Sequence, residues 1–196
     1  MILSSFDEIP KKTYQIIYAD PPWEVKKGPP WRSSGKSLSL DYPTLSIDDI
    51  CNLKVNDIVD YNSCLYLWVI NKYIEQAYYV SRSWGFKPIC LLTWCKSKHG
   101  LGLGGTYVQT SEHLLYCRKN QVQTMKRIDT TWFQYKRQKL HSQKPTEIRD
   151  MIVDVHGDLP RIELFARQKI SGWDIWGNEL ENSFEYKFKG SNECRS

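Results

Sequence analysis

Residues 15–23 read Gln15-Ile16-Ile17-Tyr18-Ala19-Asp20-Pro21-Pro22-Trp23, an apolar run that leads straight into an acid, two prolines and an indole. Tyr14 to Ala19 is rich in β-branched and aromatic residues, which predicts a core strand. Because proline cannot donate to a sheet ladder and fixes its own φ, Pro21 and Pro22 end this strand in a rigid turn. We expect the carbonyls of this turn to have no local N–H partner. Ligands of open α/β sheets bind at the carboxyl ends of strands, so Asp20 marks a candidate site.

Other segments predict strands that alternate with helices. Each strand candidate is short and rich in β-branched or aromatic residues: Cys64 to Ile70, Pro88 to Trp94, His113 to Arg118, Arg161 to Phe165, Trp173 to Trp176 and Phe184 to Phe188. The helix candidates are Ile47 to Val59 after a capping-box pattern at Ser46, Lys72 to Trp84 with Asn71 as cap, and Thr146 to Val155, which ends before Gly157. The alternation predicts an α/β sandwich, with helices on both faces of a mostly parallel central sheet.

The composition is that of a globular protein. The chain has 196 residues, 41% of them hydrophobic and 25% charged, which predicts one domain over residues 1–196. Its longest apolar stretch, Cys64 to Ile70, is far short of the roughly 20 residues that a membrane span needs. The start of the chain has no signal-peptide pattern, so we expect a cytoplasmic protein. Six cysteines without a C-x-x-C pair favour reduced, buried thiols.

The connection from Lys119 to Gln143 combines basic and aromatic residues. Its one acid is Asp129, and its basic residues are Lys119, Lys126, Arg127, Lys136, Arg137 and Lys139, interleaved with Trp132, Phe133 and Tyr135. Cations contact a phosphate backbone and rings stack on splayed bases, so the pattern favours nucleic-acid binding. The loops holding Lys26-Lys27 and Arg32 to Lys36 are a candidate second arm. The alternative is a solvated loop anchored by its aromatic residues.

The turn after the first strand has the chemistry to hold an amino-substituted planar ring. The Asp20 carboxylate and the Pro21 carbonyl would accept the two amino protons, while Trp23 stacks on the ring. The alternative is a strand-ending turn with a buried tryptophan.

Asp20-Pro21-Pro22-Trp23 resembles the catalytic signature of the MT-A family of adenine-N6 methyltransferases. Other segments similar to that family follow in the right order: Tyr42-Pro43-Thr44-Leu45-Ser46, Leu65 to Val69, Trp84-Gly85-Phe86, Thr93 to Lys96, Lys144 to Glu147, Glu163 to Arg167, and Gly177 to Leu180. The resemblance implies a Rossmann-like methyltransferase fold in permuted motif order, with S-adenosylmethionine as cofactor. It implies transfer of a methyl group to the N6 amino group of adenine.

The resemblance also assigns roles to individual residues. Asp20, Pro21, Pro22 and Trp23 would be catalytic. The cofactor would be held by Asp20, Lys144, Glu163, Phe165, Arg167, Gln168, Asn178 and Glu179, with Glu163 orienting this wall or Lys144 rather than touching the cofactor's carboxylate. Tyr42, Trp68, Trp94 and Lys96 would lie near the target base, although Trp68 and Trp94 fit an ordinary core equally well. Lys126, Arg127, Lys136 and Arg137 would contact the nucleic acid.

Departures from the family pattern narrow the range of expected substrates. The segment before the first strand is short, Gln168-Lys169 replaces a His-Asn pair of eukaryotic relatives, and CCCH zinc fingers are absent. This pattern favours a compact prokaryotic or phage enzyme acting on DNA. The alternatives are RNA adenosine, a cytosine amino group, or a non-catalytic nucleic-acid binder with the same fold; a homodimer is also left open.

Two further groups of residues bear on a metal site and on a dinucleotide-binding loop. Cys90, Cys95, His99, His113 and Cys117 lie close together in sequence, but their spacing matches no standard zinc module, and we expect no metal. A Cys-His hydrolase is also disfavoured. The glycines from Gly100 to Gly105 lack a preceding strand and a following helix, so they do not predict a dinucleotide fingerprint.

Overall fold

The computed structural model describes residues 6–24, 44–96, 106–135 and 143–177. Its strands are β1 (Tyr14–Ala19), β2 (Val59–Val69), β3 (Lys87–Cys95), β4 (Ser111–Lys119), β5 (Trp132–Phe133), β6 (Arg161–Leu164) and β7 (Asp174–Trp176). Its α-helices are α1 (Ile47–Cys51), α2 (Val55–Ile58), α3 (Ile74–Ser83) and α4 (Glu147–His156). Short 3-10 helices cover Phe6–Glu8 and Asn71–Tyr73.

Within the described ranges, the seven strands form one sheet in the order β5-β3-β4-β2-β1-β6-β7. Neighbouring strands are parallel, except that β4 runs antiparallel to both β2 and β3. From β1 the chain proceeds to β2 on one side and later returns to β6 on the other. The strand order therefore reverses beside β1, and the crevice at the carboxyl ends of β1 and β6 is where such a sheet binds ligands.

Helices cover both faces of this sheet, because successive strand residues point to opposite sides. One face carries Ile17, Leu65 and Leu67 and is covered by α1, α2 and α3 through Ile50, Val55, Ile58, Ala77 and Val80. The other face carries Ile16, Tyr18 and Trp68 and is covered by α4 through Ile148 and Ile152. The predicted α/β sandwich of Rossmann type is confirmed. That residues 1–196 form one domain stays a prediction.

The first predicted helix, Ile47 to Val59, is wrong in its second half. The capping box at Ser46 is present and starts α1, but the helix ends at Cys51 and a separate turn of helix, α2, follows. Val59 then pairs with Tyr14 as the first residue of β2, which begins five residues before the predicted strand. Pairing with a distant strand outweighs the local helical spacing here, since spacing within one segment carries no information about that partner.

Asn71 does not cap the second helix as predicted. Its side-chain amide donates to the Gln109 side chain at 2.6 Å and to the Ser111 carbonyl at 3.2 Å, while α3 starts only at Ile74. The predicted end of this helix is confirmed, because Gly85 takes a φ of 83°, which glycine adopts without strain.

The other predicted strands among the described residues, and the predicted helix Thr146 to Val155, closely match the observed elements. The short strand β5 was not predicted. The predicted strand Phe184 to Phe188 lies outside the described residues. The described cysteines are free. Cys64 and Cys117 are buried as predicted, whereas Cys51, Cys90 and Cys95 are only half-buried, so the prediction of buried thiols is wrong for these three. Burial raises the pKa of the Cys117 thiol to about 12, so this thiol stays protonated near neutral pH. No helix within the described ranges is long and apolar enough to cross a membrane.

Candidate active site

The turn after β1 is held by backbone hydrogen bonds on every side. The Asp20 N–H donates to the Leu164 carbonyl of β6 at 3.5 Å, and the Trp23 N–H donates to the Pro21 carbonyl at 2.8 Å. The Leu45 N–H donates to the Pro22 carbonyl at 3.0 Å. The expectation that these carbonyls have no local N–H partner is therefore wrong for Pro21, whereas the partner of the Pro22 carbonyl lies 23 positions away in the sequence. A carbonyl oxygen has two lone pairs, so the Pro21 oxygen retains one for a ligand.

Trp23 anchors this turn and does not offer a stacking surface. Its Nε1–H donates to the Trp68 carbonyl at 2.9 Å, its ring stacks on Tyr73 with centroids 5.7 Å apart, and only 5% of the residue is exposed. The alternative interpretation of Trp23, a buried tryptophan in a strand-ending turn, is the one that the structure shows.

Asp20 is ion-paired to Lys144, which the sequence analysis assigned to the cofactor. Lys144 Nζ lies 2.8 Å from Asp20 Oδ2 and 3.3 Å from Glu112 Oε2, with 8% of the lysine side chain exposed. Glu112 also pairs with Lys96 at the end of β3. Four charges from four separate segments thus alternate in sign along this edge of the sheet and sum to zero.

These contacts fix the ionisation of the cluster. Burial alone would lower the pKa of the Lys144 ammonium, but Asp20 and Glu112 outweigh it and raise that pKa above its ordinary value. Burial alone would raise the pKa of Glu112, but Lys144 and Lys96 outweigh it and lower that pKa. Near neutral pH both groups are therefore charged, and Lys144 presents a permanent cation to Asp20.

Trp68 and Trp94 lie beneath the two lysines as core residues. Lys144 Nζ is 5.4 Å from the centroid of the Trp68 ring, and Lys96 Nζ is 5.0 Å from that of Trp94. Both indoles are buried, and their Nε1–H groups donate to Tyr18 Oη at 2.6 Å and to the Tyr135 carbonyl at 3.0 Å. An ammonium over an indole face is attracted by the ring quadrupole, so the rings help hold the lysines in place.

A second buried ion pair supports the wall between β1 and β6. Arg149 of α4 donates to Glu163 of β6 through Nε at 2.8 Å and Nη2 at 2.6 Å, and its guanidinium lies 5.2 Å from the centroid of the Tyr18 ring. We expected Glu163 to orient either this wall or Lys144. The structure pairs Glu163 with Arg149, whereas Lys144 pairs with Asp20 and Glu112. Glu163 precedes Leu164, the residue that accepts the Asp20 N–H, so this pair orients the strand end beside Asp20.

The turn after β6 forms the far side of the crevice. Phe165 has a φ of 63°, a conformation that a bulky residue rarely takes, and the Ala166 N–H donates to the Trp176 carbonyl at 3.0 Å. A Cβ on Gly177 would lie 2.2 Å from the Ala166 oxygen, so only glycine permits this approach of the two turns. Arg167 and the half-buried Gln168, which accepts from the Gln143 side chain at 3.3 Å, follow at the same edge.

The amide and guanidinium side chains of this turn, from Gln168 and Arg167, suit a polar cofactor with hydroxyl and carboxylate groups. They lie at the point where the strand order reverses, next to Asp20. The residues present therefore fit the expected cofactor.

Some expected site residues lie elsewhere. Lys126 pairs with Asp154 at 3.1 Å near the carboxyl end of α4, whereas Lys144 precedes the amino end of that helix. Ten helical residues span about 15 Å, so the structure does not bring Lys126 to the Asp20 edge. Arg127 is exposed, with Asp129 at 3.7 Å. The other expected residues lie outside the described ranges: Tyr42, Lys136, Arg137, Asn178 and Glu179.

Sequence reasoning missed Glu112 and Arg149. Glu112 directly precedes the predicted strand His113 to Arg118. An acid at the end of a predicted strand was the sequence signal that could have identified it as a site residue. Arg149 lies within a helix whose apolar spacing gave no indication of a buried cation.

The histidines and cysteines are engaged in internal contacts. His113 lies 3.1 Å from Thr93 Oγ1 through Nδ1 and 2.8 Å from Asn71 Oδ1 through Nε2. Cys64 Sγ is 3.6 Å from His156 Nε2, but both residues are fully buried, and burial raises the pKa of the Cys64 thiol, so they do not form a nucleophile and base. Among the described residues, no three His, Cys, Asp or Glu side chains are grouped to hold a metal.

Comparisons with known proteins converge on one family. The sequence model described as MT-A70 matches residues 14–179. The chain is 32% identical over 203 residues to the type II methyltransferase M.MunI of Mycoplasma sp, covering 94% of this chain and 86% of that protein. It is 26% identical to the N(6)-adenosine-methyltransferase MT-A70-like protein of Arabidopsis thaliana, covering 86% of this chain and 24% of that protein. It is also 37% identical over 85 residues to the N6-adenosine-methyltransferase non-catalytic subunit MTB of Arabidopsis thaliana, covering 43% of this chain and 10% of that protein.

Proposed function

The chain belongs to the MT-A70 family of methyltransferases, and we propose that it transfers the methyl group of S-adenosylmethionine to the N6 amino group of adenine in DNA. One observation carries this proposal: Asp20, at the crevice where the strand order reverses, is ion-paired to the buried Lys144 beside a carbonyl that can accept a further hydrogen bond. A carboxylate and a carbonyl are the two acceptors that an exocyclic amino group requires.

The chain's own residues act by fixing the amine. The adenine amino nitrogen is a poor nucleophile because its lone pair is delocalised into the ring. When Asp20 and the Pro21 carbonyl accept hydrogen bonds from its two N–H groups, the nitrogen is drawn towards tetrahedral geometry. Its lone pair then points in a defined direction. Alignment and polarisation of this kind supply several kcal/mol. S-adenosylmethionine supplies an activated methyl group on a sulfonium that leaves readily.

Lys144 acts on Asp20 in this proposal. Its ammonium holds one carboxylate oxygen of Asp20, which leaves the second oxygen to accept from the amine. Glu112 is shared between Lys96 and Lys144 and is therefore not available as a proton acceptor. Because the amine becomes acidic once methylated, a carboxylate such as Asp20 suffices as the temporary acceptor of its proton.

The cofactor would lie along the turn after β6. Phe165, Arg167 and Gln168 line that turn, and Gly177 brings the end of β7 against it. Glu163 would act by orienting this wall, since both of its oxygens are engaged by Arg149.

DNA is the proposed substrate because of how the relatives align. M.MunI is a type II methyltransferase, and the alignment covers 94% of this chain and 86% of that protein. The chain spans about a quarter of the Arabidopsis adenosine methyltransferase. The match to a non-catalytic subunit covers less than half of the chain, and the intact pairing of Asp20 with Lys144 favours a catalytic protein.

The proposal is tested by incubating the protein with labelled S-adenosylmethionine and matched single- and double-stranded DNA and RNA oligonucleotides, then identifying the modified nucleoside. We expect N6-methyladenine in DNA. Asp20→Asn should lose the activity, while Asp129→Asn, the same substitution at an exposed carboxylate, should retain it. Label in RNA adenosine or in cytosine would assign the alternative substrates, and no label in any nucleic acid would contradict the proposal.

A further inference from the structure

Trp132 differs from the other tryptophans of the described ranges in its exposure. It is 60% exposed, whereas the others are 5% exposed or less. Leaving an indole in water forgoes the large stabilisation that its burial gives. The exposed face of this indole is available to a flat partner.

The backbone that carries Trp132 is fixed on both sides. Thr93 N–H of β3 donates to the Thr131 carbonyl at 2.8 Å, and the Thr130 hydroxyl donates to the Trp132 carbonyl at 2.9 Å. The Tyr135 carbonyl accepts from the Trp94 indole, so the chain is also held after β5. The Trp132 ring is consequently presented on a rigid support, which reduces the entropy lost when a flat partner binds.

The register of the sheet places Trp132 level with the catalytic turn. Trp132 pairs with Thr93, Thr93 with His113, and His113 with Val69. Val69 lies two residues beyond Leu67, the partner of Ala19, and is therefore level with Pro21. Four strand spacings separate β5 from β1, which is about 19 Å. A stacked strand of nucleic acid, at about 3.4 Å per nucleotide, covers this distance in about six nucleotides.

The chemistry of the ring favours an unpaired base at this position. Lys119 and Lys126 of the same connection do not add to it, because Lys119 lies at the other end of β4 from His113 and Lys126 pairs with Asp154 near the carboxyl end of α4. Arg127 is exposed, with Asp129 at 3.7 Å. Indole faces stack on any unpaired base, independent of sequence.

We propose that Trp132 is a stacking site for an unpaired base of the substrate strand, a few nucleotides from the target adenine. This inference rests on the proposed function for the identity of the target. It extends the substrate site from the crevice at β1 to the edge of the sheet at β5, so the enzyme contacts a single-stranded segment of several nucleotides.

The test measures affinity for fluorescent single-stranded DNA by anisotropy, with oligonucleotides that extend one to ten nucleotides to either side of a single adenine. Wild type should gain affinity once the strand is long enough to reach Trp132. Trp132→Ala should lose about tenfold on long oligonucleotides and nothing on the shortest. Trp132→Phe, which keeps a flat ring, should retain most of the affinity. Tyr79→Ala removes a ring that is also 60% exposed, on α3, and should bind like wild type.

Equal affinity of Trp132→Ala and wild type at every length would overturn the proposal, as would an equal loss at all lengths. Cofactor affinity by calorimetry shows that each variant is folded. A change of oligomeric state in Trp132→Ala without a change in DNA affinity would assign the indole to contact between copies and would also overturn it. The anisotropy readout does not require turnover, so failure of stacking and failure of adenine methylation are separate results.

Discussion

Lys144 Nζ lies 2.8 Å from Asp20 Oδ2, so the residue three positions before α4 is ion-paired to the residue just after β1. The same ammonium contacts Glu112, so Asp20 is one member of a neutral cluster of four charges. This pairing orients the carboxylate, and it determines what substitutions at the site should do.

Removal of the Asp20 carboxylate should abolish methylation and spare the cofactor. Lys144 keeps Glu112 as a partner in Asp20→Ala, so the fold should persist. Loss of a contact made to the reacting amine costs 10²-fold or more in rate. We expect S-adenosylmethionine affinity within a few fold of wild type by calorimetry beside a turnover assay. More than about a tenth of the wild-type rate would remove Asp20 from the central role.

Substitution of Lys144 separates its two candidate roles. If Lys144 acts on Asp20, Lys144→Met should lower kcat strongly with a small change in cofactor affinity, and Lys144→Arg should restore part of kcat. If it holds the cofactor, as the sequence analysis expected, affinity should fall by roughly 1 to 3 kcal/mol instead. Calorimetry and steady-state kinetics on the same preparations distinguish the two results, and Lys126→Met is the control at an exposed lysine.

Breaking the Arg149–Glu163 pair should destabilise the fold more than replacing both residues. Arg149→Met leaves a buried carboxylate without its bidentate partner, which costs about 3 to 5 kcal/mol. The double variant Arg149→Met with Glu163→Leu removes both charges and should recover much of that loss. Urea denaturation of the wild type, the two single variants and the double variant measures the coupling. Additive effects of the two substitutions would show that the pair is not a unit.

Stability should fall as pH falls below about 6.5, in part because of His156. This residue is fully buried, with Nε2 2.9 Å from Tyr66 Oη and Nδ1 2.5 Å from the Gln123 carbonyl, and the Tyr116 ring stacks beside it. Burial lowers the pKa of His156, so the unfolded chain takes up a proton at a pH where the folded chain does not.

The free energy of unfolding should therefore decrease as pH falls from the unfolded pKa towards the lower folded pKa. The measurement compares Tm between pH 7 and pH 5 for wild type and His156→Gln. His113, whose pKa burial also lowers, contributes to both proteins, so the difference between the two slopes reports His156 alone. Parallel slopes would contradict the prediction.

Local sequence was sufficient for the features that depend on neighbouring residues. The bounds of β1 followed from its apolar run and from the prolines after it, and the end of α4 followed from Gly157, which has a φ of 79°. The position of Asp20 at the carboxyl end of a core strand was determined in the same way. These results hold because strand ends and helix ends are set by φ preferences and missing N–H donors within a few residues.

Tertiary structure alone decided which partner each buried charge has. Glu112 lies 92 positions after Asp20 in the chain, and the two meet at Lys144 only because the sheet order puts β4 and β1 on either side of β2. The prediction of a helix from Ile47 to Val59 was wrong at its end for the same reason, because Val59 pairs with Tyr14 as part of a strand. A buried ion must be neutralised by whatever the fold brings within hydrogen-bond distance, and that distance is a property of strand order and register rather than of sequence spacing.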